Sequence, residues 1–148
     1  MKVDVSREVN CPQQIAFEYY SDRDADAEWW AGTLSSTVVS EVRGGVGEKS
    51  RQLQTIPGLP FRYEIEIEIV AWDPPHRWRE VSRSGLCRYD VWYEVERLDE
   101  MRSRVRLHGD CELMGWFRLL KPIADRALTR LTEQNFDRLQ ARLNQLAS

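Results

Sequence analysis

The sequence predicts an α+β fold in which a curved antiparallel sheet of six to seven strands packs around one long C-terminal helix. Three features lead to this prediction. Short segments up to about residue 113 alternate apolar and polar side chains, as strands with one buried face do. Turn residues join these segments at short intervals, which favours antiparallel neighbours. The segment 116–147 repeats apolar residues at spacings of three and four, which is typical of an amphipathic helix.

The N-terminal segment predicts a half-buried strand followed by two short helices. Val3, Val5 and Val9 alternate with polar residues. Pro12 then opens a helix, because its missing N–H would be unpaired at that position anyway. The apolar residues at helical spacing are Ile15, Ala16, Tyr19 and Tyr20 in the first helix and Ala25, Trp29 and Trp30 in the second.

The middle of the chain predicts six further strands separated by turns. We expect these strands near residues 36–43, 48–55, 61–69, 77–84, 88–98 and 103–113. The alternation is clearest in 61–69, where five apolar residues share one face and four charged residues share the other. Glycines turn the chain at 44–47, a proline-rich loop spans 56–60, and a hairpin turn spans 99–102.

The C-terminal segment predicts a helix that covers the buried face of this sheet. Its length of about 45 Å would cross the whole sheet. Pro122 lies near its start, so the first turn at 116–120 is either separate from the helix or kinked. No other element is long enough to supply the cover, and we expect a single domain over residues 1–148.

Composition excludes several classes of function. The 148 residues have a net charge of −3, which gives no electrostatic reason to expect nucleic-acid binding. No apolar stretch reaches 18 residues and the N-terminus has no apolar signal core, so we expect a cytoplasmic protein. Cys11, Cys87 and Cys111 form no C-x-x-C pair, and with only two histidines we expect no metal site and no cofactor.

Several local motifs resemble those of one superfamily. They are Val9-Asn10-Cys11-Pro12 followed by Ile15-Ala16-Phe17, Ser21-Asp22 followed by Glu28-Trp29, Gly45-Val46-Gly47-Glu48, and Asp73-Pro74-Pro75-His76-Arg77. Over residues 3–146 the chain resembles the START-like (SRPBCC) superfamily, and in particular its polyketide cyclase/dehydrase and lipid-transport family. The proline usual before the tryptophan of the second motif is absent here. The resemblance implies a helix-grip fold with a cavity under the helix, but no shared catalytic signature.

The inward faces of the predicted sheet and helix supply candidate ligand-binding residues. They are Tyr63, Ile65, Ile67, Trp78, Tyr89, Val91 and Tyr93 on the strands and Ile123, Ala127 and Leu128 on the helix. Such pockets are commonly about 300–1,000 Å³ and apolar, with a few polar groups that orient the ligand. The alternative is that these side chains simply pack as a core.

Arg7 interrupts the valine face of the first strand and is the first polar candidate. A buried guanidinium needs a partner, and Glu80 and Ser82 share a face with Trp78. One interpretation is a cluster of Arg7, Glu80 and Ser82 that orients a ligand carbonyl or carboxylate. The other is that Arg7 reaches solvent or forms a static ion pair. Glu80, Tyr63 and Tyr93 are the candidate acid–base groups.

Three hypotheses for the function remain open. The first is binding, and possible transport, of a hydrophobic small molecule such as a lipid, a quinone or a polyketide. The second is an enzyme of the polyketide cyclase/aromatase type, and the third is a protein-interaction module with a vestigial pocket. Transient membrane contact would involve Trp29, Trp30 and 59–61 at the mouth, and Arg43, Lys49 and Arg51 facing anionic lipid. The sequence does not predict the oligomeric state.

Overall fold

One antiparallel sheet forms the body of the protein, in a computed structural model that describes residues 1–55, 62–83 and 87–148. Its seven strands are β1 (Lys2–Val9), β2 (Thr33–Val38), β3 (Lys49–Thr55), β4 (Arg62–Asp73), β5 (Arg77–Ser82), β6 (Cys87–Asp99) and β7 (Arg102–Leu113). They lie in the order β1-β7-β6-β5-β4-β3-β2. The strands from β2 to β7 therefore form a meander, and β1 returns to pair with β7.

Three helices complete the fold. They are α1 (Gln13–Tyr20), α2 (Asp26–Trp29) and α3 (Lys121–Leu146), with 3₁₀ turns at Arg23–Ala25 and Gly115–Leu120. The sheet curves around α3, as the predicted helix-grip fold requires. The 3₁₀ turn before Pro122 shows that the first turn of the predicted C-terminal segment is separate from the helix.

β4 confirms the clearest pattern in the sequence. Ile65, Ile67 and Ile69 are buried, whereas Glu64 and Glu66 on the opposite face are exposed. The strand continues to Asp73, past the predicted end at residue 69. A bulge near Val70 shifts its register against β5 and lets the strand bend. The predicted proline-rich loop 56–60 and the residues 59–61 predicted at the cavity mouth lie outside the described residues.

An aromatic cluster joins α1 and α2 to the sheet. The Tyr20 ring contacts the rings of Trp29, Trp78 and Tyr93 at centroid distances of 5.7, 4.9 and 5.3 Å. Trp78 and Tyr93 stack with their ring centroids 4.7 Å apart. Trp78, a predicted cavity residue, is fully buried in this cluster and is not among the residues that line the cavity described below.

The buried part of α3 is its C-terminal half. The helix contributes Phe136, Leu139 and Leu143 to the hydrophobic core, where each is fully buried. Near the start of the helix, Ile123 is 71% exposed and the small side chain of Ala127 is half-buried. The helix is therefore packed tightly on the core at one end only, and its other end covers the sheet loosely.

Candidate functional site

A cavity of about 430 Å³ lies between the inner face of the sheet and the first half of α3. Its volume falls in the range of ordinary small-molecule pockets. Ten of the thirteen predicted binding residues line it, namely Tyr63, Ile65, Ile67, Glu80, Tyr89, Val91, Tyr93, Ile123, Ala127 and Leu128. Most of these side chains are apolar or aromatic, so the cavity offers an apolar surface with a few polar groups.

The size of the α3 side chains leaves this space open. Ala124 and Ala127 line the cavity from the helix, while Leu128 and Leu131 close it toward the core. An alanine fills much less volume than the aromatic side chains that Trp78 and Phe136 place in the packed core nearby. The cavity therefore follows from small residues in the part of α3 that crosses the sheet.

Three buried charges form the polar part of the cavity wall. Arg23, Asp26 and Glu80 are 3%, 5% and 0% exposed, and all three line the cavity. The Arg23 guanidinium forms an ion pair with Glu80, and its Nη1 lies 3.3 Å from Asp26 Oδ2. Trp78 Nε1 donates a hydrogen bond of 3.0 Å to the same oxygen of Glu80. One cation is thus shared by two carboxylates.

Burial changes the proton affinity of this cluster. Loss of hydration raises the pKa of Asp26 to about 7, although the Arg23 charge acts in the opposite direction. Burial by itself would lower the pKa of Arg23, but the charges of Asp26 and Glu80 outweigh it and raise that pKa. Asp26 is therefore a carboxyl group that exchanges its proton near neutral pH, while Arg23 stays charged.

A chain of hydrogen bonds connects the cluster to Tyr63 on β4. Tyr63 Oη donates to Gln54 Oε1 at 3.1 Å, and Gln54 Nε2 donates to Gln52 Oε1 at 2.8 Å. Gln52 Nε2 then donates to Asp26 Oδ2 at 2.7 Å. Every donor in this chain points toward Asp26, and all four residues line the cavity.

Arg7 is not part of the site, which corrects the prediction of a cluster with Glu80 and Ser82. Its Nη2 lies 2.5 Å from Glu133 Oε2, and its Nε lies 3.0 Å from Asp137 Oδ1, both on α3. β1 is an edge strand and β5 is its third neighbour, so Arg7 and Glu80 are roughly 14 Å apart across the sheet. The static ion pair left open in the sequence is the arrangement observed.

Ser82, another predicted binding residue, is buried but is not among the residues that line the cavity. It pairs with Tyr89 across β5 and β6, and its hydroxyl has no hydrogen-bond partner among the described residues. Of the predicted polar cluster only Glu80 reaches the cavity, and its cation is Arg23 in place of Arg7.

Two cysteines also line the cavity. Cys87 Sγ and Cys111 Sγ lie 2.8 Å apart on the adjacent strands β6 and β7. Both are free thiols, and the hydrogen bond between them lowers the pKa of Cys87. Nothing in the sequence indicated this contact, because 24 positions separate the two cysteines and they form no C-x-x-C pair.

Arg23 and Asp26 escaped sequence reasoning for a similar reason. They lie in a segment rich in acidic residues that looks solvated, Arg23 in the 3₁₀ turn after α1 and Asp26 at the first position of α2. The sequence feature that could have identified them is their i,i+3 spacing, which brings the Arg23 and Asp26 side chains together on one helical turn. The apolar residues Ala25 and Trp29 beside them indicate that this turn has a buried side.

Within the described ranges, no group of three or more His, Cys, Asp or Glu residues is placed to hold a metal ion. The helices in that part of the chain include none that is long and apolar enough to cross a membrane.

The curved seven-stranded sheet, the long helix that it grips and the cavity between them define a helix-grip protein of the START-like superfamily. A family model described as polyketide cyclase/dehydrase and lipid transport matches residues 1–144. The chain therefore belongs to the polyketide cyclase/dehydrase and lipid transport family. Among curated proteins, none matches this sequence.

Solved structures share this fold at low sequence identity. A protein of Thermus thermophilus is 23% identical with a TM-score of 0.79, and the match covers 100% of both chains. The Zhui aromatase/cyclase of a Streptomyces species is 13% identical with a TM-score of 0.77, over 100% of this chain and 96% of that one. A START superfamily protein of Mycobacterium smegmatis is 16% identical with a TM-score of 0.72, over 98% of each chain. At these identities the similarity shows the fold alone.

Proposed function

We propose that the protein binds a hydrophobic small molecule, such as a lipid, a quinone or a polyketide, in the cavity under α3. The observation that carries this proposal is a space of about 430 Å³ whose walls are mostly apolar and whose buried charged groups form one cluster. Apolar walls favour binding by about 25 cal/mol per Å² of buried apolar surface, before the cost of ordering. The cluster of Arg23, Asp26 and Glu80 orients the ligand.

A variant in which a large side chain fills the cavity tests this proposal. Ala127→Phe places a large side chain in the cavity, whereas Ala141→Phe adds the same group to an exposed position of the same helix. Binding of the neutral dye N-phenyl-1-naphthylamine is followed by its fluorescence. We expect Ala127→Phe to raise the Kd about tenfold or more and Ala141→Phe to leave it unchanged. Equal binding by the two variants would contradict a site in the cavity.

A second candidate function is a cyclase- or aromatase-type reaction on a poly-β-keto chain. The observation that favours it is the position of Asp26, which is buried in the cavity wall with its Oδ2 3.3 Å from Arg23 Nη1. Burial raises the pKa of this carboxyl group to about 7. General acid–base catalysis works best when the catalytic pKa lies near the working pH. Under this proposal Asp26→Asn abolishes product formation from a poly-β-keto thioester without weakening dye binding. Product formation that survives the substitution would contradict it.

Carriage between membranes is a finer form of the first proposal. Trp29, one of the residues predicted at the mouth, is only 2% exposed and lines the cavity from within, which does not favour membrane contact through its side chain. Ile123 lines the cavity and is 71% exposed, and Leu119, next to the lining residue Leu120, is 85% exposed, which supports contact through the region where α3 begins. Arg43, Lys49 and Arg51 are exposed on another part of the surface. We propose a cytoplasmic location as part of this function.

A further inference from the structure

Four cavity-lining residues each have a buried polar atom without a hydrogen-bond partner. The atoms are Asp26 Oδ1, Glu80 Oε2, Arg23 Nε and Trp29 Nε1, and no described residue supplies a partner for any of them. Their side chains are at least nine-tenths buried, and all four residues line the cavity. Buried charged groups are normally hydrogen-bonded, because an unpaired one loses its hydration without compensation. A ligand in the cavity is in position to supply the missing partners.

The chemistry of these atoms is specific. The two carboxylate oxygens accept hydrogen bonds, and the Arg23 Nε–H and the Trp29 Nε1–H each donate one. The other groups of the cluster are already used, because Arg23 Nη2 donates to the Tyr20 carbonyl at 2.8 Å and Gln52 donates to Asp26 Oδ2. The cavity wall therefore offers a ligand two acceptors and two donors, and its buried charges are two carboxylates and one guanidinium.

We infer that the ligand carries a hydroxyl group, as an alcohol or a phenol, that binds at the cluster of Arg23, Asp26 and Glu80. This inference rests on the proposed binding function. A hydroxyl donates one hydrogen bond and accepts others, so a single group satisfies a carboxylate oxygen and the Arg23 Nε–H together. A carboxylate ligand only accepts, and it would face the like charges of Asp26 and Glu80. The site therefore selects against the fatty-acid type of head group.

Competition among three compounds of one chain length tests the inference. The compounds are 1-decanol, decanoate and decyl methyl ether, and each displaces N-phenyl-1-naphthylamine from the wild-type protein at pH 8. We expect 1-decanol to compete at concentrations about tenfold lower than either of the others, because only it supplies a donor without a charge. Decanoate or the ether competing as well as the alcohol would overturn the inference.

Variants separate recognition from structural support. Asp26→Asn replaces a carboxylate by an amide of the same shape, which supplies N–H donors. We expect the preference for 1-decanol over decanoate to fall about tenfold in this variant, whereas a purely structural role would weaken all three compounds equally. Asp137→Asn, on the outer side of α3 where it pairs with Arg7, is the matched control and keeps the wild-type preference. An unchanged preference in Asp26→Asn would overturn the inference.

The two levels of proposal fail differently. If the dye does not bind, or if Ala127→Phe binds it as well as the wild type does, the binding function itself is wrong. If the dye binds in the cavity and the three compounds compete equally, the binding function stands and the hydroxyl preference is overturned.

Discussion

Arg23 is the residue on which the buried charge cluster depends. Its guanidinium is the nearest cation to both Asp26 and Glu80, and the three side chains are shielded from water. Removal of one partner from a buried ion pair leaves an uncompensated charge, which is far more costly than loss of an exposed pair. The contribution of an arginine to the stability of this protein therefore depends on whether its ion pairs are buried or exposed.

We expect Arg23→Met to lower the free energy of unfolding by about 3–5 kcal/mol, because Glu80 would lose its cation. Arg7→Met removes two ion pairs whose carboxylates are largely exposed, and its expected cost is about 1 kcal/mol or less. Urea denaturation of both variants measures the difference. Similar losses in the two variants would show that the Arg23 cluster is not buried.

Asp26 makes stability depend on pH in a definite direction. Its pKa is about 7 in the folded protein and 3.8 ordinarily, so the folded state holds a proton that the unfolded state has released between these values. Stability contributed by this group is present below about pH 4 and is lost as pH rises toward 7, at up to about 1.4 kcal/mol per pH unit. Urea denaturation at several pH values between 4 and 7 should show that the free energy of unfolding of Asp26→Asn changes less with pH than that of the wild type.

Asp4 provides a control of opposite sign. A hydrogen bond from Arg106 lowers the pKa of Asp4, so this exposed carboxylate stabilises the fold above its ordinary pKa and loses that effect in acid. Asp4→Asn should therefore leave the decline toward pH 7 intact. A decline that persists unchanged in Asp26→Asn would assign it to another group.

Cys87 and Cys111 are close enough to react with each other. Their sulfur atoms lie 2.8 Å apart, whereas Cys11 is fully buried elsewhere in the core. We expect diamide, which takes up the two thiol hydrogens, to close a disulfide between them with a mass loss of about 2 Da. Alkylation after unfolding should then label Cys11 alone. Labelling of all three cysteines, or a disulfide-linked dimer, would contradict the close pair.

At the scale of elements, the β6–β7 hairpin holds the wall of the cavity in shape. Gly109 lies opposite Val91 and has a φ of +154°. A Cβ at this position would come within 2.3 Å of the Asp90 carbonyl oxygen and 2.7 Å of Val91 Cα. The close approach of the two backbones therefore requires glycine at this position.

We expect Gly109→Ala to destabilise the protein by about 3 kcal/mol or more, because backbone atoms must move to admit the methyl group. Gly45→Ala is the matched control, since its nearest contact would be Val42 at 4.0 Å, and it should change stability by about 0.5 kcal/mol or less. Thermal unfolding compares the two. A Gly109→Ala variant as stable as Gly45→Ala would contradict the hairpin geometry.

Periodicity predicted the elements but could not assign the partners of the buried charges. The alternation in β4 and the apolar spacing in α3 are local patterns, and both elements form where expected. β2 is a partial exception, because it spans Thr33–Val38 where a strand at 36–43 was expected, and the chain turns earlier. The ion pair of Arg23 with Glu80 joins residues 57 positions apart, and only the strand order decides that contact.

At the scale of the whole molecule, the cavity is a consequence of how one helix sits on one sheet. The C-terminal half of α3 packs on the aromatic core, while Ala124 and Ala127 leave room above the strands. The family resemblance predicted a cavity, and ten of the predicted residues line it. Its volume and its charged cluster depend on packing among distant segments, which no local pattern in the sequence encodes.

The measurement that tests the account most directly is amide NMR of the protein titrated with N-phenyl-1-naphthylamine. If the cavity is the binding site, saturable shifts should concentrate on its walls, at Ile67, Tyr89, Val91 and Leu128. Amides of the exposed residues His76 and Met101, away from the cavity, should stay unchanged. Shifts confined to exposed residues, or no saturable shifts at all, would contradict a ligand site between the sheet and α3.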